Sequence, residues 1–249
     1  MARALALTGG ALAVFTVLVV TGAMTGIDDW AIDHVMPGLD PHSHGGIVHS
    51  TGLWRPFDLD AVWWVKVLDA YLYPASFLVS ALVVAALCAV LARRGAVVPA
   101  VVWLGAWLGA NAAELVGKLG LGRPEVHWSN GIRPVHVAAF DHSYPSGHSA
   151  RAVVLAALVA YVFPRVRYAA AAWVVLVPAA LVVAGDHTVS DVVGGTLLGA
   201  LIVLLAHAMI GAWTRLPTSS SSSSAGSSAT PRPSSPTSPA ERSTSPTPS

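Results

Sequence analysis

Long apolar runs, separated by short polar segments, fill most of this chain up to residue 216. A helix that crosses a bilayer needs about 20 mostly apolar residues. Six runs approach that length, at residues 4–24, 70–92, 96–116, 149–163, 168–184 and 192–213. The fourth run is long enough if its helix begins near Ser146, with Pro145 just ahead of the first turn. The pattern therefore predicts an all-α fold, a bundle of six transmembrane helices.

The positive residues indicate how this bundle is oriented. If the chain crosses six times, one face of the membrane receives Arg3, Arg93, Arg94, Arg165, Arg167 and Arg215. By the positive-inside rule that face is the cytoplasm. We therefore expect a multi-pass protein of the plasma membrane. Both termini are then cytoplasmic, and the loops at 25–69 and 117–145 face outward.

The first run has an alternative interpretation as a cleaved signal peptide, since a basic residue precedes its apolar core. Its last residues, Thr21-Gly22-Ala23-Met24, match poorly the small residues that a cleavage site requires. Cleavage would leave five spans without changing the sidedness of the others.

Composition supports a membrane protein and excludes other classes. The chain is 54% hydrophobic and 11% charged, whereas soluble domains carry about 25% charged residues. A net charge of +1 gives no electrostatic case for nucleic acid as a partner. The single cysteine, Cys88, excludes an intrachain disulfide and a cysteine-based metal site. Residues 217–249 are nearly all Ser, Thr, Pro and Ala, which predicts a disordered cytoplasmic tail after a membrane domain at 1–216.

A first polar motif, Pro145-Ser146-Gly147-His148, opens the fourth predicted helix. Free N–H groups at a helix N-terminus bind anions, and the helix dipole adds to this attraction. Arg151 follows one turn later on the same face as His148. An arginine at that depth is costly unless it is paired or faces a wet cavity, so we expect it to bind an anion. The alternative is a cation that snorkels outward.

A second motif, His187 and Asp191, stands at the entrance to the sixth run. On one helical face the carboxylate can accept the imidazole N–H, select its tautomer and raise its nucleophilicity. Asp186 is a competing partner, and a purely structural hydrogen bond is the alternative. Both motifs fall on the same outward face of the predicted bundle.

The outward loop before the first motif supplies two cations. Arg123 follows a Gly-rich stretch and offers a planar fork for phosphate oxygens. Lys118 follows Glu114 by four residues, so an ordinary ion pair along the helix is its alternative role.

Together these motifs resemble the type 2 phosphatidic acid phosphatase family (PAP2), which shares its core with vanadium haloperoxidases. The resemblance covers residues 96–213 and rests on a lysine followed by Arg-Pro, a complete Pro-Ser-Gly-His and a His-x-x-x-Asp. It implies that His187 is the nucleophile and forms a phosphohistidine, that Asp191 orients it, and that His148 protonates the leaving oxygen. The implied phosphate ligands are Lys118, Arg123, Ser146 and Gly147. No metal or other cofactor is implied, because cations and N–H groups stabilise the transferring group.

The chain departs from the family pattern at two places. Four residues instead of six separate Lys118 from Arg123, and Arg133 is a second candidate for that arginine. The arginine expected six residues before His187 is replaced by Leu181. We hypothesise that Arg151 supplies the missing phosphate-binding cation.

The first outward loop holds His34, His42, His44 and His49, but no spacing that fixes a metal geometry, so we expect a lid instead of a metal site. Two glycine pairs, Gly105 with Gly109 and Gly195 with Gly199, have the spacing that permits close helix packing within one chain.

The predicted function is metal-independent hydrolysis of a lipid phosphate or isoprenoid diphosphate at the outer membrane face. The expected partners are that substrate and membrane lipids, with no nucleic acid, and the oligomeric state stays open. The alternative is a non-catalytic protein of the same fold that binds or transports phospholipid. A haloperoxidase is disfavoured because those enzymes resemble soluble proteins and this chain is mostly spans.

Overall fold

The structure is a computed structural model that describes residues 1–35, 67, 70–124, 127–128, 133–134, 143–184 and 186–215. Its helices are α1 (Ala2–Val20), α2 (Thr25–His34), α3 (Phe77–Arg93), α4 (Val97–Gly120), α5 (Gly147–Val162), α6 (Arg167–Ala184) and α7 (Val189–Trp213). Two 3₁₀ turns, Tyr73–Ala75 and Pro164–Val166, precede α3 and α6. The short strands β1 (His127–Trp128) and β2 (Arg133–Pro134) pair antiparallel. Helices thus build the described part of the chain, as the apolar runs predict.

Four helical segments are long and apolar enough to cross a membrane, at Ala2–Val20, Val97–Gly120, Pro164–Ala184 and Val189–Trp213. The apolar helices α3 and α5 are shorter, with 17 and 16 residues. Within the described ranges the structure therefore identifies four candidate spans where the sequence predicts six. The shortness of α3 has a local cause. Pro74 lies in a 3₁₀ turn and Ser76 is extended, so the continuous helix begins at Phe77 and not at residue 70.

The segment after α1 is the second difference from the sequence prediction. Helix α1 ends at Val20, and Gly22 adopts a left-handed φ of 80° in the turn that follows. The chain then forms α2, where the sequence predicts only an outward loop. Helix α2 packs on α7 and buries Asp28, Ala31 and Ile32. Part of this predicted loop is therefore a helix docked on the bundle.

Helix α7 lies at the centre of the bundle and packs against α1, α2, α4, α5 and α6. Its glycines allow α5 to approach closely. A Cβ at Gly195 would clash with the Ser146 carbonyl oxygen, and one at Gly199 would lie 2.8 Å from the α5 backbone. A Cβ at Gly105 or Gly109 would meet no atom of the described residues within 4 Å. Only one of the two predicted glycine pairs is therefore used for packing here.

Candidate active site

The first motif joins the start of α5 to the start of α7. Ser146 caps α5, and its Oγ accepts a hydrogen bond from the Ser149 amide at 3.4 Å. The Ser146 amide donates to the Asp191 carbonyl oxygen at 2.9 Å. Gly147 has no room for a Cβ, because that atom would overlap the carboxylate of Glu114. The glycine of the motif thus accommodates an acidic side chain that reaches over from α4.

The second motif is held by a turn and a helix cap. After α6 ends, the amides of Asp186 and His187 both donate to the Leu181 carbonyl oxygen, at 3.0 and 3.4 Å. Thr188 caps α7, and its amide donates to Asp191 Oδ2 at 3.1 Å. His187 Nδ1 lies 3.6 Å from the same oxygen and has no hydrogen-bond partner among the described residues. The carboxylate therefore faces the imidazole just beyond hydrogen-bond distance, and a small ring rotation would complete the bond.

These motifs bring two imidazole rings together. The ring centroids of His148 and His187 are 6.1 Å apart, with the planes inclined at 60°. His187 is 7% exposed, whereas His148 lines a cavity. Both rings can therefore contact one group the size of a phosphate, which is what nucleophilic attack by one histidine and proton donation by the other require.

Lys118 and Arg151 share one carboxylate beside these rings. Glu114 accepts from Lys118 Nζ at 2.8 Å and from an Arg151 terminal nitrogen at 2.6 Å. Arg151 also donates to Asn111 Oδ1 at 3.0 Å and to the Ala75 carbonyl oxygen at 2.9 Å. It is 5% exposed and paired, so it does not snorkel outward. The Glu114–Lys118 pair that helix spacing allowed is present. We call Asn111, Glu114, Lys118 and Arg151 the cavity cluster.

A cavity of about 600 Å³ opens beside this cluster. Its polar end is formed by Glu114, Lys118, His148 and Arg151. Its apolar walls come mainly from α3 and α4, through Phe77, Leu78, Trp107, Leu108 and Leu115. Of the other predicted site residues, Arg123, Ser146, Gly147, His187 and Asp191 are not among its lining residues. The cavity is therefore amphipathic, and its polar end lies next to the histidine pair.

Arg123 does not face this cavity. One terminal nitrogen donates to Asp191 Oδ1 at 2.7 Å, to Thr188 Oγ1 at 3.0 Å and to Ser143 Oγ at 3.2 Å. The other donates to Asp28 Oδ2 at 3.0 Å. The predicted phosphate ligand thus bridges two buried carboxylates, those of Asp28 on α2 and Asp191 on α7.

Asp28 is a buried polar residue of this region to which no pattern in the sequence points. It is 1% exposed and accepts from the Ser190 amide at 2.8 Å and the Ser190 hydroxyl at 2.6 Å. Burial raises the pKa of its carboxyl, while the bonds from Ser190 and the charge of Arg123 oppose that rise. Its distance along the chain from both motifs hides it from any local pattern. We call Asp28, Arg123, Thr188, Ser190 and Asp191 the inner cluster.

No cation occupies position 181, where the family pattern has an arginine. Leu181 is fully buried in an apolar cluster with Ala31 and Ile32 of α2. The alternative Arg133 lies in β2, and its side chain is outside the described residues. Also outside are the predicted lid residues His42, His44 and His49, and the predicted tail at 217–249.

Comparisons with known proteins identify the family of one region and a similar fold. The model of the PAP2 superfamily matches residues 99–215. No curated protein sequence matches the chain. A solved structure similar in fold is the first transmembrane PAP2 type phosphatidylglycerolphosphate phosphatase from Bacillus subtilis, with 19% identity and a TM-score of 0.59. The similarity covers 85% of this chain and 98% of that one. Residues 99–215 therefore form a PAP2 superfamily region, and the chain, with its apolar helices, is a multi-pass membrane protein and a phosphatase.

Proposed function

We propose that this phosphatase hydrolyses a lipid phosphate or diphosphate, without a metal, through a phosphohistidine at His187. The observation that supports this most directly is the pair of imidazole rings, 6.1 Å apart, beside the polar end of an amphipathic cavity. His187 is the better nucleophile of the two, because its Nδ1 faces Asp191 at 3.6 Å and its Nε2 is left to attack.

The reaction takes two steps. In the first, the Nε2 lone pair of His187 attacks phosphorus while the bond from phosphorus to the leaving oxygen breaks. His148 donates a proton to that oxygen, so the lipid leaves as an alcohol, or as a monophosphate if it arrived as a diphosphate. In the second, His148 takes a proton from water, the water oxygen bonds to phosphorus, and the P–N bond breaks to release inorganic phosphate.

Lys118, Arg151 and the Gly147 amide at the start of α5 stabilise the negative charge of the transferring group. The Ser146 amide, predicted to join them, instead donates to the Asp191 carbonyl oxygen. Both cations now contact the Glu114 carboxylate, which lies against Gly147. A phosphate that enters the cavity therefore competes with Glu114 for them. In this proposal Arg151 provides the charge that the family places at the position of Leu181.

The cavity favours an amphiphilic substrate. Side chains of α3 and α4 form apolar walls that suit an acyl or isoprenoid chain, and the cations suit a phosphate head group. An isoprenoid diphosphate, phosphatidic acid and phosphatidylglycerol phosphate all have this form. The last is the substrate named for the similar Bacillus subtilis enzyme.

We further propose that α3 and α5 also cross the membrane, which makes six spans with the site outside. His148 and His187 lie at one end of α5 and α6, and Arg165 and Arg167 lie at the other end. Arg93 likewise ends α3, away from the cavity residue Phe77. By the positive-inside rule the arginine end is cytoplasmic.

One alternative is favoured by specific observations. Leu181 replaces a phosphate-binding arginine, and Glu114 already neutralises part of the charge of Lys118 and Arg151. Both features suit a protein that binds or moves phospholipid without hydrolysing it. A binding protein, however, needs neither a nucleophile nor a proton donor, and here His148 and His187 stand side by side.

Phosphate release from a panel of lipid phosphates, with chelator present, tests the proposal. The wild type should release phosphate from at least one lipid, and His187→Ala should reduce release by roughly 10³-fold or more. His207→Ala is the matched control. That histidine lies within α7 and packs on Trp103, about 27 Å along the helix from Val189 at 1.5 Å per residue.

Three outcomes would contradict the proposal: no release from any lipid, release that needs a metal, or full activity of His187→Ala. The first would favour the binding protein. Acid-labile, base-stable phosphate trapped on the imidazole at position 187 would support the intermediate directly.

A further inference from the structure

A line of polar contacts behind His187 reaches helix α2, outside the region matched by the family. Asp28 Oδ1 accepts from the Ser190 amide, and Asp28 Oδ2 accepts from the Ser190 hydroxyl and from Arg123. Both oxygens of this buried carboxylate therefore have donors. The contacts join α2 to the first turn of α7, next to the proposed nucleophile.

Arg123 divides the two oxygens of Asp191 between two tasks. It donates to Oδ1 at 2.7 Å, which leaves Oδ2 to the Thr188 amide at 3.1 Å and to His187 Nδ1 at 3.6 Å. The carboxylate cannot rotate without losing these bonds. The direction in which Asp191 faces the imidazole is thus set jointly by Arg123 on Oδ1 and the Thr188 amide on Oδ2.

Charge separates this arrangement from a phosphate site. The inner cluster carries two carboxylates and one guanidinium, a formal charge of −1. The Arg123 side chain is 6% exposed and does not line the cavity. A phosphate would have to approach net negative charge and displace Asp28 or Asp191 from Arg123. The cavity cluster, with two cations and one carboxylate, has a formal charge of +1 and is open to an anion.

We infer that Asp28 and Arg123 are positioning residues, which hold Asp191, and through it His187, in the orientation for attack on phosphorus. The inference rests on the proposed role of His187 as nucleophile. Asp28 fixes one end of the guanidinium, so that the other end stays on Asp191 Oδ1. Without Asp28, Arg123 is free to turn fully towards Asp191 and draw its carboxylate away from the imidazole.

Steady-state kinetics of the full chain test this role. Asp28→Asn should lower kcat by roughly 10- to 100-fold, the usual cost of losing a residue that orients a ligating or reacting side chain, with KM within about twofold. Asp29→Asn makes the same charge change one residue along α2, at a position only partly buried, and should retain near-normal kcat. Arg123→Lys should resemble Asp28→Asn, and the double variant should lose little more than either single one, because both break one link.

A milder variant guards against loss of folding. Ser190→Ala removes one donor to Asp28 and leaves every charge in place, so kcat should fall by roughly three- to tenfold with little change in thermal unfolding. The inference is overturned if these variants melt earlier but turn over normally when folded. It is also overturned if Arg123→Lys raises KM with kcat unchanged, since Arg123 would then bind phosphate itself.

A spectroscopic arm needs no substrate. In ¹⁵N-histidine-labelled protein, His187 of the wild type should carry its proton on Nδ1, facing Asp191. Asp28→Asn and Arg123→Lys should increase the population of the Nε2–H tautomer, and Asp29→Asn should not. An unchanged His187 spectrum in both variants would overturn the inference. If the wild type releases no phosphate from any lipid, the proposed function fails, while this spectrum still decides the positioning role.

Discussion

Arg123 and Arg151 are both buried and both paired with carboxylates, yet only Arg151 lines the cavity. In the inner cluster one guanidinium contacts two carboxylates and also donates to the Thr188 hydroxyl. In the cavity cluster one carboxylate serves two cations, and Lys118 remains 30% exposed. A buried cluster with a net negative charge favours fixing the orientation of a side chain over binding an anion. A cluster with a net positive charge at a cavity wall favours binding an anion, such as a phosphate that replaces the Glu114 carboxylate.

The largest effect should come from the residue that connects the inner cluster to the chemistry. Asp191→Asn removes the charge that faces His187 and allows the wrong tautomer, so kcat should fall by roughly 10³- to 10⁴-fold in the lipid phosphatase assay. Asp186→Asn, which alters the neighbouring carboxylate, is the control and should retain most activity. Equal losses of kcat in the two variants would contradict a specific role for Asp191 in orienting His187.

The next effect should come from the cavity cluster. Arg151→Ala should lower kcat/KM by roughly 10²- to 10³-fold, and Arg151→Lys should retain part of it, because a point charge replaces a fork. Removing one partner of a buried ion pair costs about 3–5 kcal/mol, so folding must be followed by thermal unfolding. In Arg151→Ala the Glu114 carboxylate keeps Lys118 as its partner, and adding Glu114→Gln removes that carboxylate as well. Near-normal turnover of the folded double variant would contradict a role in phosphate binding.

A smaller effect is expected where α7 packs closely on the start of α5. Gly195→Ala places a methyl group against the Ser146 carbonyl oxygen and should push α5 from α7, at a cost of about 1–3 kcal/mol in unfolding free energy. Gly105→Ala, with no described atom within 4 Å of the added carbon, should be neutral or slightly stabilising. Thermal unfolding in detergent measures both. Equal stability of the two variants would show that the close approach is not required.

The smallest effect should show whether Glu114 competes with phosphate for the two cations or holds those cations in place for the substrate. Glu114→Gln removes the carboxylate that holds Lys118 and Arg151, so KM and the inhibition constant for inorganic phosphate should fall by roughly three- to tenfold. Leu115→Ala, on the same helix but on the apolar wall, should leave phosphate inhibition unchanged. A higher inhibition constant in Glu114→Gln would instead show that Glu114 orients the cations for the substrate.

Hydropathy locates the helices well, because a lipid-facing helix must be both long and apolar. Runs 96–116, 168–184 and 192–213 fall within or close to α4, α6 and α7. Hydropathy does not detect α2, whose apolar stretch is short and broken by acids, and it extends α3 through the interruption at Pro74 and Ser76. The count of six crossings stays a prediction.

Sequence spacing predicts side-chain contacts well when the two residues are only a few positions apart. His187 faces Asp191 because Thr188 caps α7 and its amide holds Asp191 Oδ2 beside the residue that precedes the cap. Glu114 pairs with Lys118 because four residues make about one helical turn. The bond from Arg123 to Asp28 joins residues 95 positions apart, and no periodicity encodes it. The sequence therefore predicts that Arg123 binds phosphate, because a guanidinium makes the same forked contact with a phosphate and with a carboxylate.

The hydroxyls of Thr16 on α1 and Tyr144 ahead of α5 are 2.8 Å apart, and the Tyr144 ring fills the space above Gly194. Thr16 and Asp28 both precede residue 99, where the family match starts. The residues that support the proposed active site thus extend beyond the region that the family model matches. The N-terminal segment contacts residues that lie 128 and 162 positions later in the chain, Tyr144 and Ser190. A protein trimmed to residues 99–215 would keep every proposed reacting group but lose Thr16 and Asp28.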